Sequence, residues 1–129
     1  MNDARLLISV LTALTLAACV PPVARGIEAC AKNLREKFPR ASLVVVKVFP
    51  AHAPGNPFYE DIKKVNAALD TLKLDADPLV HVLDISGEMI DGGLKAGLFT
   101  PDTIHLTQEG GYAFFASRLR PLLERLLGR

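Results

Sequence analysis

Tryptophan is absent from this 129-residue chain, and aromatic residues amount to only two tyrosines and six phenylalanines. A core must therefore rest on Leu, Val, Ile and Ala. With 50% of the residues hydrophobic, there is enough apolar material for one domain. Excess charge of either sign is also lacking. Lys and Arg number 15 against 14 Asp and Glu, a formal net charge of +1, and the two signs are interspersed. That argues against nucleic acid as a partner, because binding it calls for a clustered basic face. Two cysteines, Cys19 and Cys30, cannot build a disulfide framework. The three histidines, His52, His81 and His105, lie far apart, and no residue pair has metal-ligand spacing, so no metal site is expected. No apolar run reaches the ~20 residues that a membrane-spanning helix needs.

Residues 1–20 differ in character from the rest. Leu6 to Ala18 is uncharged and mostly apolar, follows Arg5, and ends in Leu16-Ala17-Ala18-Cys19. The stretch fits the apolar core of a secretory signal. Small residues before Cys19 are similar to a bacterial lipobox, in which the cysteine is lipidated and anchors the protein to a membrane outside the cytoplasm. Asp3 works against the positive start that such signals carry. A buried strand or helix is the other reading of so short an apolar run. Cys30, alone on a helix, reads as a small buried residue.

Beyond Val20-Pro-Pro-Val-Ala24 the chain alternates between two periodicities. Val23, Ile27, Cys30, Leu34 and Phe38 recur at helical spacing until Pro39. Ser42 to Val48 is a β-branched run suited to a strand covered on both faces. A Pro/Gly/Asn-rich loop spans Phe49 to Pro57, and a second helix carries Phe58, Ile62, Val65, Leu69 and Leu72. Asp75 to Pro78 breaks it before a second strand, Leu79 to Asp84. Ile85 to Pro101 is mostly loop, and Tyr112, Phe115, Leu119, Leu122 and Leu126 mark a last helix. Helix–strand–helix–strand–helix is the order of an α/β fold with parallel strands, here a partial doubly wound sheet flanked by helices. Ligands gather beyond the carboxyl ends of such strands, where the loops Phe49–Pro57 and Ile85–His105 lie.

Asp102 and His105 sit in the run Pro101-Asp-Thr-Ile-His-Leu-Thr-Gln-Glu-Gly-Gly-Tyr112. A carboxylate three residues before a histidine, on a turn, can accept the imidazole Nδ1–H and leave Nε2 free as a general base. Spacing alone is weak evidence, and Asp102 and Thr107 also suit a helix start. His81 reads as a half-buried strand residue. His52 reads as a solvated loop histidine that could border the pocket.

The surrounding motifs are more specific. Gly26-Ile27-Glu28 opens a helix, Arg35-Glu-Lys-Phe-Pro39 precedes the Val-rich strand, and that strand ends at Val48-Phe49-Pro50. Asn56-Pro57 leads into a helix with Lys64-Val65-Asn66. Leu83-Asp84-Ile85 ends the second strand, and the Asp102/His105 block runs into Leu106-Thr107 and Gly111-Tyr112. In this order and spacing, residues 23–129 resemble the C-terminal portion of the SGNH/GDSL hydrolases, most of all the platelet-activating-factor acetylhydrolase-like esterases. The resemblance implies a flavodoxin-like SGNH fold with its N-terminal half missing. It also implies Ser–His–Asp acyl transfer on small acyl esters, no cofactor, and His105 and Asp102 as the triad's base and acid.

The family's Gly-Asp-Ser nucleophile block has no counterpart here. Ser9, Ser42, Ser86 and Ser117 all lie in other contexts, and Ser86 matches a non-catalytic position. The chain is thus expected to be inactive alone. A truncated or degenerate non-catalytic module, lipid-anchored through Cys19, is the alternative. Met1-Asn2-Asp3 admits two readings: an ordinary N-terminus, or the end of a Gly-x-Asn-Asp block whose oxyanion asparagine would be Asn2, with Met1 internal and the protein cytoplasmic. The second cannot hold if residues 1–18 are cleaved. Asn66 is expected to serve helix packing or to hydrogen-bond a loop rather than to act in catalysis, and the extra glycine at Gly110–Gly111 puts the start of the last helix in doubt.

Overall fold

A computed structural model describes residues 21–128. The apolar segment 1–20, with Asn2 and Cys19, lies outside the described residues. The elements run α1 (Pro22–Lys37), β1 (Leu43–Val46), α2 (Pro57–Thr71), β2 (Val80–Leu83) and α3 (Ala113–Leu127). Short 3-10 turns occupy Leu74–Ala76 and Gly87–Met89. This is a mixed α/β arrangement of three helices around a two-stranded parallel sheet, in register Leu43↔Val80 through Val46↔Leu83. The predicted element order holds, and both strands are shorter than the apolar runs that carry them. No described helix is long and apolar enough to cross a membrane.

Local chemistry sets the boundaries. Pro22 starts α1 with φ already helical and no N–H to satisfy. Arg35 closes its far end: Nη1 donates to the carbonyls of Phe38 (2.9 Å) and Ala41 (2.8 Å), Nη2 to Pro39 (3.0 Å), and Nε to Asp77 Oδ2 (2.9 Å). One guanidinium thus satisfies the carbonyls of the turn that follows the helix and ties that turn to the approach of β2. Asn56 caps α2 by accepting from Phe58 N at 2.9 Å, with Pro57 at the first helical position.

Three apolar clusters fill the interior. Ala24, Val65, Ala68 and Leu69 join α1 to α2, and Ala31, Val45 and Val80 seat α1 on the sheet. Ile85, Met89, Leu98 and Leu106, with Phe49, Leu83, Phe114 and Phe115 around them, bind the loop after β2 to α3. Met89 is fully buried, a burial worth about 1.5–3 kcal/mol for a side chain of this kind.

The helix stripes need correcting. On α1 the buried positions are Ala24 and Ala31, whereas Val23, Leu34 and Phe38 are exposed, and so is Cys30. Val23, Cys30 and Leu34 line an open apolar groove of about 390 Å³ alongside Leu43 and Val44. The periodicity identified an apolar face, but small alanines one position along make the tight contacts, Ala24 with the second helix and Ala31 with the sheet. Tyr112 is exposed and precedes α3, and Phe58 is exposed at the start of α2.

The doubtful start of the last helix is a π-helical turn, Gln108–Tyr112, which takes up one residue more than an α-turn. Thr107 Oγ1 accepts from Gly111 N at 2.9 Å and donates to Gly97 O at 2.6 Å. A Cβ at Gly110 would collide with Gly97 O, and one at Gly111 with Leu98 O, so both glycines are fixed by close backbone approach.

Candidate active site

The loop from Phe99 to Leu106 is closed at its base. Phe99 and Leu106 form an antiparallel bridge, Thr107 N donates to Leu98 O (2.9 Å) and Thr100 N donates to His105 O (2.8 Å). Leu98 and Leu106 are both buried, so the loop's feet stand in the core while its tip faces solvent.

At the tip, His105 Nδ1 lies 2.7 Å from Asp102 Oδ2. The other carboxylate oxygen, Oδ1, accepts from Thr100 Oγ1 (2.5 Å), Ile104 N (2.9 Å) and His105 N (3.0 Å). Four donors therefore converge on one carboxylate. The Thr100 hydroxyl foremost, then the His105 ring, then the His105 and Ile104 amides hold the Asp102 carboxyl far below the usual carboxylate range. Ionised around neutral pH, Asp102 favours the Nδ1–H tautomer of His105, in which Nε2 carries the lone pair. The His105 side chain is 74% exposed, so Nε2 can be reached from outside.

Because the folded Asp102 titrates below its unfolded value, its contribution to stability is whole above about pH 4 and fades as the pH falls below that. Acid titration followed by circular dichroism should show Asp102→Asn less stable than wild type at pH 6, with the gap closing below pH 4. A gap independent of pH would mean that the carboxylate's charge is not what the turn uses.

The remaining sequence candidates separate. Ser86 Oγ donates to Asp84 Oδ1 at 2.6 Å and is not hydrogen-bonded to His105. Ser117 Oγ donates to Phe114 O within α3. Asn66 behaves as expected: it accepts from Val48 N (3.0 Å) and donates to Val48 O (2.8 Å), holding the chain just past β1. A cleft of about 340 Å³ lies between α2 and the loops leaving both strands, lined by Pro50, Tyr59, Ile62, Asn66, Ser86 and others. Neither Asp102 nor His105 lines it. Among the described residues no cluster of three His, Cys, Asp or Glu could hold a metal.

Three features escaped the sequence reading. Thr100 acts through its hydroxyl, for which spacing gives no signal. His52 is half-buried rather than freely solvated, and its Nδ1 sits 2.8 Å from Thr103 Oγ1. Lys47 bridges Asp70 (2.8 Å) and Asp84 (2.9 Å) beneath the Ser86 turn. A lone charge inside the apolar run Ser42–Val48 was the available hint.

No family model matches the chain. Among curated proteins, it is 34% identical over 108 residues to platelet-activating factor acetylhydrolase IB subunit alpha2 of Rattus norvegicus and of Mus musculus. The Homo sapiens subunit is 33% identical over the same length. Each match covers 81% of this chain and 45% of the relative. The chain is thus a distant homologue of that acetylhydrolase subunit and spans about half the length of the curated relatives it matches.

Proposed function

We propose that Asp102 and His105 are the acid and base of an SGNH-type ester hydrolase acting on small acyl esters, and that residues 23–129 are the C-terminal portion of its doubly wound fold. The observation that carries this reading is the 2.7 Å Nδ1–Oδ2 contact beneath an exposed imidazole. Homology to an acetylhydrolase subunit supports it. In the reaction, His105 Nε2 would take the proton of a serine hydroxyl as its oxygen attacks the acyl carbonyl. It would then return that proton to the departing alcohol, while Asp102 stabilises the imidazolium between the two steps. Removing any member of such a triad costs about 10⁴-fold or more in kcat.

None of the four serines lies in a Gly-Asp-Ser context, so the nucleophile and oxyanion donors would come from sequence beyond these residues. Two measurements test this. The isolated chain is expected to show no p-nitrophenyl acetate hydrolysis that depends on His105. Hydrolysis abolished by His105→Ala would reveal an internal nucleophile and overturn that division of labour. The DNA upstream of Met1 should encode an in-frame Gly-Asp-Ser about half a domain away, and its absence would count against the enzyme reading.

A second reading, a non-catalytic module anchored through lipidated Cys19, is favoured by Leu16-Ala-Ala-Cys19. An intact Met1 on the mature protein, read by mass spectrometry, would exclude it.

A further inference from the structure

Of the three described non-glycine residues in the left-handed backbone region, two, His52 at φ +60° and Thr103 at φ +61°, face each other from different loops. A β-branched residue seldom sits there, and the neighbours must hold it in place. Each strained residue is hydrogen-bonded to the other. His52 N donates to Thr103 O at 3.0 Å, and His52 Nδ1 lies 2.8 Å from Thr103 Oγ1. The direction of the side-chain bond follows from the hydroxyl. Thr103 Oγ1 donates its only proton to Asp102 O at 2.6 Å, so it accepts from His52, and the proton is on His52 Nδ1. The His52 ring is backed by Phe58, edge to face at 5.8 Å.

Thr103 is the residue immediately after Asp102. Its unusual φ turns the chain so that the next two amides, Ile104 N and His105 N, both point at Asp102 Oδ1. We propose that His52 is a positioning residue for the Asp102–His105 pair. By clamping Thr103 from the loop after β1, it holds the turn that presses the His105 imidazole against Asp102. Without the clamp, Thr103 relaxes toward negative φ, the two amides swing away and the Nδ1–Oδ2 contact opens. The hydrogen bonds of His52 go to Thr103, and it acts on the pair through that residue.

The role given to the pair rests on the hydrolase reading, but the test reads imidazole geometry directly. The clamp and that reading can therefore fail separately. The chain, labelled with ¹⁵N-histidine, would be studied by long-range ¹H–¹⁵N correlation spectra of its three imidazoles, with His105→Gln assigning the signal. His105 in the wild type is expected to be dominated by the Nδ1–H tautomer.

His52→Gly accepts the backbone conformation and keeps the amide that donates to Thr103 O but loses the side-chain donor, and should lower the Nδ1–H to Nε2–H ratio of His105 about fivefold. His52→Asn tolerates positive φ and keeps a side-chain N–H, so it should restore the ratio to within about twofold. A general loss of stability would not discriminate glycine from asparagine at this site in a protein still folded by circular dichroism. An unchanged His105 tautomer in His52→Gly, or no rescue by asparagine, overturns the proposal. Should His52→Gly fail to fold, Thr103→Ala, which removes the hydroxyl that joins His52 to Asp102 O, takes its place, and an unchanged His105 tautomer again overturns the proposal.

Discussion

Replacing both Asp70 and Asp84 with asparagine is expected to lower the unfolding free energy by about 3–5 kcal/mol, whereas Lys47→Met costs no more than about 1 kcal/mol. The asymmetry follows from where each charge lies. The Lys47 side chain is only 7% exposed, while those of Asp70 and Asp84 are 66% and 43% exposed. Removing the lysine returns two carboxylates to water that already reaches them. Removing the carboxylates leaves an ammonium at the rim of the core, on a buried stem, with no counter-charge. Domains of this size have about 5–15 kcal/mol in total, so the double variant should lose a large fraction of its stability.

Urea denaturation of the three proteins checks this, and equal losses would show that the lysine's charge is immaterial. The pH dependence gives an independent signature. Burial lowers the Lys47 pKa, but the hydrogen bonds and charges of Asp70 and Asp84 outweigh it and leave the value raised. A raised folded pKa means the contribution is whole below the unfolded value of about 10.4, and is lost as the pH climbs past the folded one. An alkaline loss of stability present in wild type should therefore be missing in Lys47→Met.

Gly111→Ala is expected to cost about 3 kcal/mol, at the upper end of overpacking penalties. The added methyl would strike the Leu98 carbonyl oxygen and come within 2.7 Å of Leu106 Cβ. Neither can yield cheaply. Leu98 O accepts Thr107 N at the base of the site loop, and Leu106 is buried next to His105. Either the π-turn or the bridge between Phe99 and Leu106 has to shift. Gly26→Ala is the matched control. It lies within α1 with nothing near its missing Cβ, and should stabilise by about 0.5–1 kcal/mol through helix propensity. Thermal melts of the two variants moving in the same direction would mean that close approach at Gly111 has been misjudged.

What could be read from the residues alone divides by the range of the interaction. Helices and strands were legible because the spacing of Val65 and Leu69, or the run Leu43–Val46, is a local property. Asp102 and His105 were legible for the same reason, being three residues apart on one turn. Lys47 was not, because its partner Asp84 is 37 residues away, and neither was His52, whose partner Thr103 is 51 away. Thr100 is local, but its part depends on a hydroxyl direction that spacing does not encode. The α1 stripe failed for a different reason. Periodicity shows that Val23, Leu34 and Phe38 share an apolar face, yet not whether anything lies opposite to cover it.

Among the described residues β1 has β2 as its sole strand neighbour. Its four residues, Leu43, Val44, Val45 and Val46, therefore offer a row of main-chain donors and acceptors beside an apolar groove. Short uncharged β-branched segments with a free edge are the units from which chains zip into stacked sheets, and Lys47 is the gatekeeper charge that follows this one. Its ammonium is turned inward to Asp70 and Asp84, so it does not guard the edge. The consequence is colloidal. The ion pair that steadies Lys47 thus withdraws the charge that would otherwise stand guard beside this strand.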